Sequence, residues 1–440
     1  MSTKVVKFGG SSLSDAAQFQ KARDIIHMDP DRAFVIVSAP GKRYEADGKI
    51  TDLLYRMHEK RQSGGDYLPT LRRIASRYQD IRETLKLKTD ITAQMNEVEH
   101  RLRAGATQDY CASRGEYLTG LLMADYMGYA FIDPAECIRF NDRGLLDANV
   151  TQELLSKKLK NAGRAVIPGF YGATPDGRIQ TFSRGGSDIT GAIVARAAYA
   201  DIYENWTDVS GFLMADPKIV DHPLEIAHIT YRELRELSYS GASVLHEDSV
   251  FPVHRAGIPT NIRNTNHPEH AGTLITIEAA DSSPSHTITG IAGKKDFSVI
   301  AIEKAMMNAE LGFGRRVLEA IEQEGVSFEH LPTGIDTMCI VVPQAALEGK
   351  REKIIANIVD NAAPDMVTIH DDMAIIATVG RGMVHTYGTA ARLFKAMSLA
   401  HINVRMIDQG SSEISIIVGV DNRDFEKTIR AIYAEFVDHV

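Results

Sequence analysis

The chain has 440 residues, 44% hydrophobic and 24% charged, an ordinary globular balance that excludes a disordered or collagen-like polymer. Its 58 Asp and Glu against 49 Lys and Arg give a net charge of -9, which argues against a nucleic-acid partner and for small molecules. At one domain per ~150 residues, the length sets an expectation of about three domains.

Three widely spaced cysteines, Cys111, Cys137 and Cys339, form no CxxC and read as reduced thiols of a cytoplasmic protein. No apolar signal segment follows Lys4 and Lys7, and no long uncharged apolar run occurs, so no membrane partner is expected. Lys4 to Phe8 is a strand by residue type, ended by Gly9-Gly10-Ser11-Ser12, with a helix expected from Asp15. Ala33 to Ser38 reads as a strand buried on both faces, and Ala165 to Phe170 and Ala200 to Tyr203 continue the series. Strands alternating with helix-length segments predict an α/β layered domain with a mainly parallel sheet between helices. Between residues 52 and 128, Leu71, Ile74, Tyr78, Ile81 and Leu85 mark one face of an amphipathic helix. That stretch reads as a helical insertion, either a lid over the sheet's ligand or plain core helices.

The last third carries a repeat. A shift of 76 positions sets Gly312 on Gly388, Arg316 on Arg392, Gly334 on Gly410 and Ile340 on Ile416. Each unit reads strand, glycine loop, helix, strand, turn, strand; in the first these are Ser298 to Ile302, Phe313 to Gln323, Val326 to Leu331 and Thr337 to Val342. The small, polar run Ala279 to Ser285 suits a linker. The expected domains are 1–280, 281–370 and 371–440, the last borrowing a first strand from about 287–295.

Three glycine-centred clusters carry the chemistry. Lys7-Phe8-Gly9-Gly10-Ser11-Ser12 joins a strand to a helix N-terminus, where backbone N–H groups and a lysine can close on phosphate. Ser183-Arg184-Gly185-Gly186-Ser187-Asp188 places a guanidinium fork and an acid at the start of a second helix. Trp206-Thr207-Asp208-Val209 ends a strand before a glycine turn. Each is also explicable as an ordinary turn or helix cap. No Walker-type motif occurs, since Gly41-Lys42, Gly48-Lys49, Gly293-Lys294 and Gly349-Lys350 lack a following Ser or Thr. Gly380-x-Gly382-x-x-His385 fails the dinucleotide fingerprint. His246-Glu247 and His267-x-x-His270 lack the further ligands zinc requires.

Together and in this order, the three clusters resemble aspartate kinase, of the amino-acid kinase superfamily. Gly241-Ala242-Ser243-Val244-Leu245-His246 resembles a further family segment, and the repeat resembles the paired, ferredoxin-like ACT regulatory domains. The resemblance implies MgATP-dependent phosphorylation of the β-carboxylate of L-aspartate, an entry step to lysine, threonine and methionine. Lys7 and Asp188 are then catalytic, and Lys7, Gly9, Gly10, Ser11, Thr207, Asp208 and Lys218 contact ATP. Ser38, Thr51, Glu116, Arg184, Gly185 and Ser187 bind the amino acid, with Glu116 taking the α-ammonium and Arg184 a carboxylate. Mg²⁺ arrives with ATP rather than in a protein cage. Lysine, with threonine as the alternative, is the implied effector, with Met306, Gly312, Phe313, Glu329 and Asp336 as contacts that equally suit ACT packing. The resemblance further implies a homodimer through the ACT pair and leaves tetramers open. Leu213, Lys218 and Ser243 depart from the family pattern on the adenine side, and extra residues around Arg43 to Gly48 weaken the Thr51 assignment. A different superfamily kinase and a catalytically silent amino-acid sensor are the rival readings.

Overall fold

The computed structural model describes residues 2–183, 185–242, 251–278 and 286–438. Arg184, Ser243 to His246 and the expected linker at 279–285 lie outside them. The chain separates into two compact units, Met1–Phe212 with Ala227–Tyr231 and Val244–Ala279, and Leu213–Ile226 with Arg232–Ser243 and Ala280–Val440.

The first unit begins with β1 (Lys4–Phe8), α1 (Ala16–His27) and β2 (Arg32–Val37), followed by α2 (Ile50–Gln62), α3 (Leu68–Thr84), α4 (Ile91–Arg103) and α5 (Gln108–Met127). Next come β3 (Ala130–Phe131), α6 (Ala148–Ala162), β4 (Ala165–Pro168), β5 (Tyr171–Ala173), β6 (Ile179–Thr181), α7 (Gly186–Ala197) and β7 (Ile202–Thr207). After the short strands β8 (Phe212–Leu213) and β9 (Glu225–Ile226) follow β10 (His228–Thr230), α8 (Tyr231–Tyr239), α9 (Phe251–Ala256), β11 (Thr260–Asn264) and β12 (Thr273–Thr276); of these, β9 and nearly all of α8 belong to the second unit. Among the described residues, eight strands form one sheet in the order β10-β12-β11-β7-β1-β2-β4-β3. Its centre is parallel: β1 pairs with β2 and β7, β2 with β4, and β7 with β11, while β11 and β12 run antiparallel. The expected strand from Ala200 starts at Ile202 instead, because residues 198–200 complete the turn after α7.

The helices between 50 and 127 are core elements, not a lid. Leu54, Ile74, Tyr78, Val98 and Leu122 belong to one buried cluster with Phe8 and Val35 of the sheet. Periodicity alone could not separate the two readings, because a lid and a core helix both need one apolar face.

In the second unit β13 (Gly290–Glu303), α10 (Phe313–Glu322), β14 (Thr337–Pro343), α11 (Arg351–Ala362), β15 (Met366–Val379), α12 (Thr389–Leu399), β16 (Met406–Asp408), β17 (Ser415–Asp421) and α13 (Phe425–Tyr433) follow in order. Their strands make one antiparallel sheet, β14-β13-β15-β17-β16. The repeat is visible in it. Gly312 and Gly388 both cap their helices with left-handed φ of 78° and 81°, a conformation that favours glycine. Gly290 to Lys294 pair with Ile375 to Val379, so one long strand serves both repeats. Val326 to Leu331 does not form the expected strand. It makes a single bridge, His330 to Val341, and Pro332 interrupts the donor pattern just beyond.

Candidate active site

The central parallel strands β11, β7, β1, β2 and β4 end on one edge of the sheet, where α/β folds characteristically bind ligands. Phe8 is in register with Val37 and with Trp206, so the turns after β1, β2 and β7 meet there. Backbone bonds lock them together: Gly9 N–H donates to Trp206 O at 3.0 Å, Ser38 N–H to Phe8 O at 3.2 Å, and Gly169 N–H to Val37 O at 2.9 Å.

Lys7 is the charged group at this edge, only 7% exposed. Its Nζ lies 2.6 Å from Asp188 Oδ1 and donates to Asn205 Oδ1 at 3.4 Å. Asn205 Nδ2 in turn donates to Asp188 Oδ1 at 2.8 Å, fixing the carboxylate. A buried ammonium without such partners would be costly. Asp188 sits in the first turn of α7, where the helix dipole favours a negative charge. A side chain on Gly9 would come within 3.7 Å of Lys7 Nζ, so glycine leaves the ammonium open on that side. A Cβ on Gly10 would meet Ala39 O at 2.7 Å, since Gly10 and Gly41 are in direct backbone contact. Ser11 is exposed, whereas Ser12 is buried and shares a hydrogen bond with Thr265.

Glu116 of α5 approaches the same edge through Ala39, which the neighbouring Gly115 packs against. It is 5% exposed, and its Oε2 has no hydrogen-bond partner among the described residues. Burial pushes its carboxyl up to about 8, while the backbone N–H groups of Ala39 and Glu116 and the Arg114 charge oppose the shift without cancelling it. Among the described residues, one oxygen of this buried carboxyl is therefore left to be satisfied by something else. Ser38 and Thr51 are half-buried, the latter in the first turn of α2. Gly185 caps α7 with a left-handed φ of 59°. Ser187 is packed so tightly under Gly169 that any Cβ there would lie 2.6 Å away. Thr207 donates its hydroxyl to the exposed Asp208 at 3.1 Å.

Not every expected residue gathers here. Arg184 lies outside the described residues. Lys218 belongs to the second unit, exposed, with its N–H bonded to Asp216 Oδ1. The expected effector residues lie in that unit too. Met306 is 72% exposed with a φ of 59°, and its N–H donates to Asp336 Oδ1 at 2.8 Å. Gly312 caps α10, Glu329 N–H donates to Val341 O, and the Phe313 ring is buried in the unit's core. Residues the sequence reading missed include Asn205 and Phe170, the latter at a φ of 80° with its N–H held by Thr190 Oγ1. Asn205 looked like an ordinary strand residue. A non-glycine at positive φ leaves no pattern in the sequence. Burial raises the thiols of Cys111 to about 11 and Cys137 to about 12, so neither is a nucleophile at neutral pH. Among the described residues no cluster of His, Cys, Asp and Glu could hold a metal by itself, and no helix is long and apolar enough to cross a membrane.

Comparison with known proteins adds an independent line. The amino acid kinase family model matches residues 2–264, and an ACT domain model matches 376–436. The chain is 39% identical to Aspartokinase 3 of Bacillus subtilis over 98% of each chain. It superposes on the aspartate kinase of Clostridium acetobutylicum with a TM-score of 0.91 and 50% identity, covering 99% of this chain and 100% of that one. E. coli aspartokinase III, solved in complex with aspartate and ADP, shares the fold at a TM-score of 0.76 and 23% identity, over 98% of this chain and 99% of that one.

Proposed function

This chain belongs to the amino acid kinase family as an aspartate kinase, and from that premise we propose how its residues divide the work and what regulates it. The reaction moves the γ-phosphoryl group of ATP onto the β-carboxylate of L-aspartate. A carboxylate oxygen forms the new bond to phosphorus, the bond to the β,γ-bridging oxygen breaks, and that oxygen leaves on ADP. The nucleophile has an ordinary pKa of about 4 and is already ionised, so no general base is required. The problem is repulsion between two anions, which positioning and electrostatic neutralisation solve.

One juxtaposition carries this reading: a buried lysine beside a glycine turn and, on the same sheet edge, a buried carboxyl with an oxygen that has no hydrogen-bond partner among the described residues. Lys7 neutralises charge on the transferring phosphoryl group, and Asp188 with Asn205 holds its ammonium in place. Gly9, Gly10 and Ser11 line the phosphates; Thr207 and Asp208 take the rest of the nucleotide. Glu116 receives the α-ammonium of aspartate, Arg184 a carboxylate, and Ser38, Thr51, Gly185 and Ser187 the remaining polar atoms. Mg²⁺, carried in with ATP rather than held by protein side chains, would supply further charge neutralisation on the phosphates beside Lys7.

Residues 1–280 form the catalytic domain, and 281–370 with 371–440 the two ACT domains, through which the chain dimerises. Lysine inhibits as an end product, binding around Met306, Gly312, Glu329 and Asp336, and the reaction stands at the head of lysine, threonine and methionine synthesis. ADP release from MgATP with L-aspartate, with and without millimolar lysine, tests both parts. Aspartate-dependent ADP suppressed by lysine is expected. Release unaffected by lysine refutes the effector, and release that needs another acid refutes the substrate.

A further inference from the structure

The loop between β2 and α2, which carries the extra residues Arg43 to Gly48, is tied down from beneath by one guanidinium. Arg77 of α3 is 3% exposed, an unusual place for an arginine. It donates to three backbone carbonyls: Gly41 O at 2.7 Å, Gly48 O at 2.8 Å and Ser14 O at 3.0 Å. The Asp47 carboxylate, its side chain fully buried, lies 3.2 Å from Arg77 and is also held by Arg43 at 2.9 Å and Arg73 at 3.0 Å.

These carbonyls are not scattered. Ser14 closes the turn that starts at Gly9 and immediately precedes Asp15, the cap of α1. Gly41 N–H donates to Gly10 O at 2.7 Å, and a Cβ on Gly41 would lie 2.8 Å from Gly10 C. Gly48 leads directly into the first turn of α2. One planar fork therefore fixes both ends of the extra loop and the far end of the glycine turn.

We propose that Arg77 is a positioning residue for phosphoryl transfer, holding the Gly9 to Ser14 turn against Gly41 so that the phosphates of ATP meet a backbone already in place. Its bonds run to the backbone and to Asp47, so it acts through the turn. A lysine in its place has the charge but a compact ammonium on a flexible stem, without the fixed fork whose two nitrogens reach these three carbonyls. A turn freed to shift by about 1 Å is expected to cost on the order of 100-fold in rate.

The inference rests on reading Gly9 to Ser11 as the phosphate loop, and the test separates the two. Full-length Arg77→Lys, Arg77→Met and Gly10→Ala are compared by steady-state kinetics and by binding of the fluorescent nucleotide mant-ATP, a readout independent of turnover. Arg77→Met should lose about 100-fold in kcat/KM for ATP and Arg77→Lys about tenfold, with mant-ATP bound more weakly in both. KM for aspartate should move less than KM for ATP. A purely structural arginine would lower thermal stability yet leave kcat/KM for ATP and mant-ATP affinity within about threefold per folded molecule, which overturns the proposal. So does an effect confined to aspartate, or failure of both Arg77 variants to fold at the assay temperature. If Gly10→Ala leaves mant-ATP binding unchanged, the phosphate-loop reading falls with it; if Gly10→Ala weakens binding while the Arg77 variants do not, only the role of Arg77 falls.

Discussion

Replacing Glu116 by glutamine should stabilise the unliganded protein at pH 8 while crippling its hold on aspartate. The carboxyl is buried, its Oε2 has no partner among the described residues, and burial pushes it up to about 8. At pH 7, below that value, most free molecules therefore carry a protonated Glu116. An incoming α-ammonium needs the carboxylate, so binding must expel that proton, most of one per aspartate at pH 7. Apparent affinity should then weaken roughly tenfold per pH unit below 8 and level off above it. The sign for stability follows from the raised native value. The group's contribution is fully present below the ordinary glutamate range near 4.5 and is lost as pH rises through about 8, at about 1.4 kcal/mol per unit. Glutamine never ionises, so Glu116→Gln escapes that loss but weakens aspartate binding roughly 10²–10³-fold by removing a buried charge partner. Titration calorimetry in two buffers of different ionisation enthalpy measures the proton directly. No proton release at pH 7, together with a flat affinity from pH 6 to 8, would show that Glu116 is not the protonated acceptor of the α-ammonium.

Further tests probe the surrounding framework. Lys7→Met should lower kcat roughly 10²–10³-fold in a protein whose circular dichroism is unchanged, since it removes one preorganised charge and leaves Asp188 with Asn205; near-full turnover would exclude Lys7 from the chemistry. Gly169→Ala should lower turnover by about 100-fold, because its Cβ would meet both Cβ and Cα of Ser187 within 2.8 Å and push the start of α7 aside. Unchanged kinetics would mean that this approach is not needed. Glu204→Gln should lower the melting temperature on the order of 10 °C. Glu204 is 2% exposed, pairs with Arg32, accepts from the indole of Trp206, and would leave the arginine buried without its counter-ion. A shift below about 2 °C would show that water reaches the pair.

Local chemistry was legible in the sequence where it is written in adjacent residues. Lys7 and the glycine turn lie on one strand–helix junction, so their roles could be read together. The repeat was legible because Gly312 and Gly388 answer the same conformational need at the same cap. Partners that meet only through the sheet were not. Asn205 bonds Lys7 from 198 positions away, and nothing in a buried strand distinguishes it beforehand. Arg77 occupies a helix whose apolar face was recognised, but its own burial depends on a loop curling back to supply three carbonyls and a carboxylate. The strand expected at Val326 to Leu331 fails for the opposite reason: its residue types suit a strand, but only His330 finds a ladder partner.

The most direct test of the central assignment is the identity of the phosphorylated atom. An acyl phosphate formed on aspartate can be trapped with hydroxylamine and the resulting hydroxamate identified by mass spectrometry. The β-hydroxamate of aspartate is expected, formed only with MgATP and lost in Lys7→Met. The α-hydroxamate, or a hydroxamate formed preferentially from glutamate, would contradict the orientation that Glu116 and Lys7 impose at this sheet edge.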